Sequence, residues 1–442
     1  MTDRQHPLIP QIVRFGMPLV VAVYYATAAR GFAYTADPGY DATTWASLLL
    51  GSHAGVPGAE TFSFFWTILL ALGGTLGLDL LLTAKIMSLI FACFGLLGLY
   101  LLGVEILEDR VLAFSAAMVV ALDPLLLQAG PSGTPVTALL ALSVASLFFA
   151  RRRDFALAAV FAGLATACAW PAAMLMVALS VDVLSLPGDR HRGKTLLAAL
   201  LVFLAVVSPW VLFAVKGGLP VISARVPGSA LSVGWWTVVP ALLCLVPAGA
   251  GILAVRRVRL LRLVVGEPLP GLMVWILWTA IVALVLARDF WLAGAPVLVL
   301  GAMQGLRALV PALREERAGY SAAFGGVALL LVVNQVIFLS VGRSGMAGTI
   351  EEEREIVPLA QWVSARLPAT ITIESDAPGL VGYHLRAGQR VTPRRGSAEF
   401  VIASERTLDG YREIFRPTRF GDDVLEGTAG RFALFQRTEP AR

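Results

Sequence analysis

Charge is scarce in this chain. Asp, Glu, Lys and Arg make up 15% of its 442 residues, against 57% hydrophobic, and the mean hydropathy is +0.76. A soluble domain of this length cannot hide that much apolar surface, so most of the chain sits in a bilayer. Cysteine is scarcer still: Cys93, Cys168 and Cys244 all lie in or beside apolar runs. That excludes a disulfide framework and makes redox chemistry unlooked for. Histidine numbers 4, and no His/Cys/Asp cluster has metal-ligand spacing. No cofactor is therefore required, while a divalent metal stays open. The net charge is +5, but the basic residues fall in short clusters between apolar runs instead of one patch, which excludes nucleic acid as a partner. Internal repeats and mid-membrane charges are also lacking, which puts a transporter behind other readings. No small-residue cleavage site follows the first apolar run, so the first helix is expected to be retained.

What is present is a succession of apolar segments near spanning length: roughly 12–33, 62–79, 83–103, 111–128, 134–150, 155–168, 170–187, 195–215, 233–254, 269–287, 290–310 and 320–341. Basic clusters interrupt them at Arg151–Arg153, at Arg190, Arg192 and Lys194, at Arg256–Arg262, and at Arg307, Arg314 and Arg317. Placing all of these in the cytoplasm gives consistent alternation from residue 155 onwards. Before that, an inside N-terminus requires one segment not to cross. The choice falls on 62–79, which is short, broken by glycine and fronted by aromatics, as an interfacial helix would be. The expectation is a polytopic α-helical membrane protein with about eleven spanning helices, its N-terminus cytoplasmic. Residues 34–82 form a long first exterior loop. The tryptophans Trp66, Trp170, Trp210, Trp235 and Trp236 fit an aromatic belt.

The composition changes after residue 341. Residues 351–368 pattern as an amphipathic helix, with Ile356, Leu359, Trp362, Val363 and Leu367 on one face. Stretches 371–375, 399–404 and 431–437 are strand-like, with Gly and Pro between them. The chain thus divides into 1–341, in the membrane, and 342–442, a small exterior α/β domain with a modest core.

The exterior loop opens with Asp37 and Asp41, and acids placed where a helix leaves the membrane point to function or to a water-facing turn. Pro38 and Gly39 between them suggest a turn, with a helix starting near Asp41 and Asp41 as its cap.

Residues 37–49, DPGYDATTWASLL, resemble the first exterior loop of GT-C glycosyltransferases that take sugars from polyprenyl phosphates, in the arabinofuranosyltransferase- and mannosyltransferase-like branch. The stretch 60–79 is similar to that branch's next loop, with further echoes in PSGTP at 131–135, GGLPVISAR at 217–225 and RDFWLAGAPVLVLGA at 288–302. SDAPGLVGY at 375–383 is similar to exterior domains appended to such enzymes. The resemblance implies an enzyme of the plasma (inner) membrane with the C-terminal domain outside. It would transfer a sugar from a polyprenyl-phosphate donor to a glycan, lipid or protein acceptor. Asp37 is the implied general base, since an attacking hydroxyl needs a carboxylate in reach. Lys216, Arg225 and Arg288, at exterior helix ends, are the implied ligands of the departing phosphate. Asp41, His53 and Glu60 are candidates for the acceptor sugar or a metal. The chain departs from the pattern at Pro38, where a second acid is usual, after Ser132, where a Glu is common, and at CAWPAA (168–173), where Arg-Pro-Glu is frequent. These departures leave a second reading, a catalytically lapsed scaffold that binds a lipid phosphate or a partner.

Overall fold

The structure, a computed structural model, describes residues 8–28, 35, 37–51, 62–185, 191–217, 270–285, 290–309, 316–386, 388–394, 396, 398–405, 407–419, 428–429 and 431–438. The expected segment 233–254 lies outside them.

The described helices are α1 (Leu8–Ala28), α2 (Asp37–Leu49), α3 (Phe64–Thr75), α4 (Leu80–Leu107), α5 (Arg110–Ala121), α6 (Pro124–Ala129), α7 (Val136–Arg151), α8 (Phe155–Cys168), α9 (Met174–Ser185), α10 (Arg192–Gly217), α11 (Pro270–Val285), α12 (Trp291–Leu309), α13 (Glu316–Ile337), α14 (Arg343–Arg366) and α15 (Pro378–His384). Among these, α4 and α10 are long and apolar enough to cross a bilayer unaided. On α4, Leu82, Ile86, Ile90, Phe94, Leu97 and Leu101 are exposed at three- and four-residue steps. One face of an apolar helix left uncovered in this way is a lipid-facing stripe. Acids are placed where helices start: Asp79, Asp109, Asp123 and Asp154 each accept backbone N–H bonds as N-caps, satisfying donors that lipid could not.

Contacts between distant residues fix the two ends of the bundle. At one end, which we call the arginine end, Arg152 meets Glu105 at 3.6 Å, and Asp182 accepts the Gly271 N–H at 2.9 Å. At the other, the glycine-loop end, the Tyr24 hydroxyl donates to the Leu126 carbonyl at 3.3 Å. Asn334 there donates to Val119 at 3.1 Å, and Phe213 stacks on Phe62 with centroids 5.5 Å apart. Helices α1, α4, α5, α7, α8, α9 and α10 thus alternate in direction.

The stretch 62–79 forms a hairpin with the start of α4. Its helix α3 has 12 residues, about 18 Å, and folds back along α4 through a turn at Leu76–Gly77. Phe65 lies 6.2 Å from Phe91, and Gly73 lies against Thr83. Trp66 is not a belt residue: it is fully buried and donates Nε1–H to the Gly133 carbonyl at 3.1 Å. Its indole N–H found a partner inside, which lets a large aromatic leave the interface. The expected span 111–128 is broken, since Leu122 leaves the helix and Asp123 caps a second one, α6.

After α13 the chain does not stop. A π-helical turn, Phe338–Gly342, joins it without a loop to α14, so the composition change falls inside a continuous helical run. Beyond it, β1 (Thr372–Ser375), β2 (Arg390–Pro393), β3 (Phe400–Ala403), β4 (Tyr411–Phe415) and β7 (Ala433–Arg437) form one sheet in the order β2-β1-β3-β7-β4. A second, small sheet pairs β5 (Thr418–Arg419) with β6 (Thr428–Ala429). Strand β1 is parallel to β2 and β3, whereas β7 runs antiparallel to β3 and β4. Ile356, Leu359 and Val363 of α14 are buried against Ile373, Val391, Phe400 and Leu434. Trp362 is half-buried, stacked on Phe415 at 5.3 Å.

Candidate active site at the glycine-loop end

The helix α2 starts at Asp37, one turn earlier than the Pro-Gly pair suggested. Pro38 needs no N–H partner in a first turn and its ring presets the helical φ, so it opens the helix instead of delaying it. Asp41 is therefore not a cap. It sits in the second turn and is only 2% exposed.

Glycines let three layers meet here. A Cβ on Gly39 would lie 2.5 Å from the Ser132 carbonyl oxygen, so α2 rests directly on the 131–135 loop. That loop turns at Gly133, whose φ of 75° suits a residue without Cβ. Gly133 in turn lies on the backbone of Ala84 and Lys85 in α4. Hydroxyls hold the loop: Ser132 Oγ and Thr134 Oγ1 are 2.9 Å apart, and Ser88 Oγ donates to the Ala129 carbonyl at 2.9 Å.

Above this stack sits the C-terminal unit. Tyr40, 3% exposed, belongs to the same apolar cluster as Ile356, Leu359 and Leu380, and Leu81 packs against that cluster. The Tyr40 ring is 5.4 Å from that of Tyr383 in α15, and Glu353 of α14 and Thr35 lie near its hydroxyl. Burial, reinforced by the Glu353 carboxylate, pushes the Tyr40 phenol far above its ordinary range. It stays neutral. Lys85, buried at 8% exposure on α4, lies in the field of the same carboxylate. Burial raises Tyr383, with Asp79 adding to it, and lowers His384.

Of the residues named from the sequence, Asp37 and Asp41 are one helical turn apart at this junction. Lys216, exposed in the last turn of α10, comes to the same end of the bundle. It lies toward the far half of α2: Phe213, one turn before it, stacks on Phe62, which meets Trp45 at 5.1 Å. Trp45 is about 12 Å along the helix from Asp37. Arg225, Arg288, His53 and Glu60 lie outside the described residues. Among the described residues no group of three or more His, Cys, Asp or Glu could hold a metal ion. Sequence reading passed over Lys85, Tyr40 and Glu353. The available signal was the lone lysine opening an otherwise apolar run, since an isolated ammonium there needs a partner.

No family model matches the chain, and no curated protein matches it. Solved structures do. The chain is similar to ArnT from Cupriavidus metallidurans bound to undecaprenyl phosphate, with 12% identity and a TM-score of 0.54, covering 84% of this chain and 85% of that one. It is similar to the oligosaccharyltransferase of Archaeoglobus fulgidus in the apo form, with 14% identity and a TM-score of 0.52 over 87% of this chain and 65% of that one. It is also similar to the arabinofuranosyltransferase AftD from Mycobacteria, with 13% identity and a TM-score of 0.55 over 98% of this chain but 40% of that one. The chain has the GT-C glycosyltransferase fold.

Proposed function

We propose that this chain is a glycosyltransferase of the plasma membrane that moves a sugar from a polyprenyl-phosphate donor to a glycan, lipid or protein acceptor outside the cell. The observation that carries the reading is the fold: its likeness to the ArnT structure bound to undecaprenyl phosphate runs over most of both chains. Under this reading the arginine end is cytoplasmic, as its basic residues favour. The glycine-loop end, with residues 342–442 as a separate domain, faces outward.

Asp37 is the proposed general base. The acceptor oxygen attacks the anomeric carbon, its proton passes to the Asp37 carboxylate, and the bond from that carbon to the phosphate oxygen breaks. The polyprenyl phosphate leaves with the electron pair. Lys216, Arg225 and Arg288 are the proposed donors to that phosphate, countering charge as it develops. Asp41, His53 and Glu60 are proposed to meet the acceptor sugar. No cofactor enters the scheme, and a divalent ion held by the carboxylates is tested by adding a chelator to the same assay.

The test is transfer from radiolabelled sugars on undecaprenyl phosphate, in membranes holding the full chain or its Asp37→Asn variant. Loss of a general base is expected to lower the rate by about 10²-fold or more. Product unaffected by Asp37→Asn removes the residue from the mechanism. No product from any donor, in membranes with native acceptor, moves the reading to a lapsed scaffold.

A further inference from the structure

We propose that the arginine end carries a binding site for an anionic phospholipid, whose phosphodiester headgroup is held where α8 and α10 begin side by side. The site lies at the opposite end of the bundle from α2 and does not rest on the transferase reading.

The two helices run parallel. Phe155 and Ala156 of α8 share a cleft with Ala198 and Ala199 of α10. Further along, a Cβ on Gly163 would lie 2.8 Å from the Val206 side chain. Residue numbers rise together on both helices, so both N-termini point to the arginine end. The close contact at Gly163 brings the helices together, while Ala156, Ala198 and Ala199 are too small to fill the space between their starts. What remains is an open cleft of about 500 Å³, in the size range of small-molecule sites.

The rim of the cleft is cationic. Arg152 and Arg153 line it with Asp154 and Thr195, and Lys194 is exposed in the first turn of α10. Arg152 reaches Glu105 at 3.6 Å on an exposed surface, a pairing of little strength that leaves donors of its fork for a ligand. The Arg153 guanidinium makes no hydrogen bond or ion pair with the described residues. Its backbone has a φ of 62°. There the Arg153 and Asp154 amides bond back to the Ala150 and Phe149 carbonyls, a helix-ending turn in which glycine is the usual left-handed residue. An arginine kept where glycine would cost less points to a use for its side chain. Asp154 is the acid on this rim, and its Oδ1 is engaged, accepting the Leu157 N–H at 3.1 Å as the N-cap of α8.

The walls beyond the rim select a lipid over a free anion. One turn past Ala156 comes Val160, and one turn past that Leu164; one turn past Ala198 comes Leu201, and then Ala205. Val160 and Leu164 are half-buried, and Leu201 and Ala205 are exposed. The cleft therefore continues along the bundle as an apolar groove. A cationic mouth above an apolar groove fits an amphiphile with a negative head, and basic pockets between helices at a membrane interface bind such heads.

The test is thermal stability of the delipidated full chain in detergent, titrated with phosphatidylglycerol, phosphatidylcholine or soluble glycerol 3-phosphate. Phosphatidylglycerol is expected to raise the melting temperature saturably, and the other two to do so weakly or not at all. Arg153→Gly, which relieves the left-handed backbone, should melt no lower than the unaltered chain without lipid, yet bind phosphatidylglycerol about tenfold more weakly. Arg152→Gln should weaken it similarly. Arg110→Gln, an exposed arginine at the start of α5 outside the cleft, should leave the titration unchanged. Equal stabilisation by phosphatidylcholine, or an equal loss in Arg110→Gln, would overturn the site in favour of a general response to lipid or charge. Full binding by Arg153→Gly would overturn it as well, and glycerol 3-phosphate acting as strongly as the lipid would reassign the cleft to a soluble phosphate.

Discussion

His384 shows how a single side chain ties this protein to its medium. It ends α15, half-buried with its ring edge-on to Tyr383 at 5.1 Å, and burial lowers its pKa from 6.5. The folded unit therefore binds this proton less readily than the unfolded chain. Its contribution to stability is full above 6.5 and is lost as pH falls from there through the depressed folded value. Between about pH 7.5 and about pH 5.5, the full chain is expected to lose more thermal stability in detergent than its His384→Gln variant. Equal losses would show that the imidazole is not the group titrating. At the same scale, Asp41 and Lys85 are polar residues left only 2% and 8% exposed. Their burial could not be read from a linear string, because elements distant in sequence cover them.

Among the elements, α2 is the one whose surroundings leave least freedom. Gly39→Ala would drive a methyl into the Ser132 carbonyl, which is backbone and cannot swing aside. The expected cost is about 1–3 kcal/mol of stability, typical of overpacking, with transfer falling together with it. A thermal melt and a transfer assay on one preparation check both. The apolar elements were legible in sequence because lipid imposes a simple rule. So were the helix 351–368 and the strands near 371–375, 399–404 and 431–437, whose apolar spacing matches the buried faces of α14, β1, β3 and β7. What escaped was local. Pro38 and Gly39 look like a turn until a loop is found pressed against Gly39, and Trp66 looks interfacial until Gly133 offers its carbonyl. Strand β4, with Arg412 and Glu413 exposed, has too polar a pattern to stand out, and only its pairing with β7 makes it a strand.

For the molecule as a whole, sidedness is the property that every functional reading presumes. With Cys93, Cys168 and Cys244 replaced, a cysteine at exposed Asp409 should react with a membrane-impermeant maleimide on intact cells. One at exposed Arg153 should react only after lysis. The reverse pattern would invert the topology and put the candidate site in the cytoplasm. The molecule's two halves are joined by the π-helical turn at Phe338–Gly342, and that turn acts on angle more than on reach. A π turn holds one residue more than an α turn, equivalent to a rotation of about 100° around the shared axis. Leu329, Val332, Val336 and Leu339 face outward before or at it, and Ile356, Leu359 and Val363 face the sheet after it. Removing one residue from this joint would barely shorten the rod. It would swing the whole appended unit in azimuth like a misset crank, and the Tyr383 ring would leave Tyr40 by about a quarter turn.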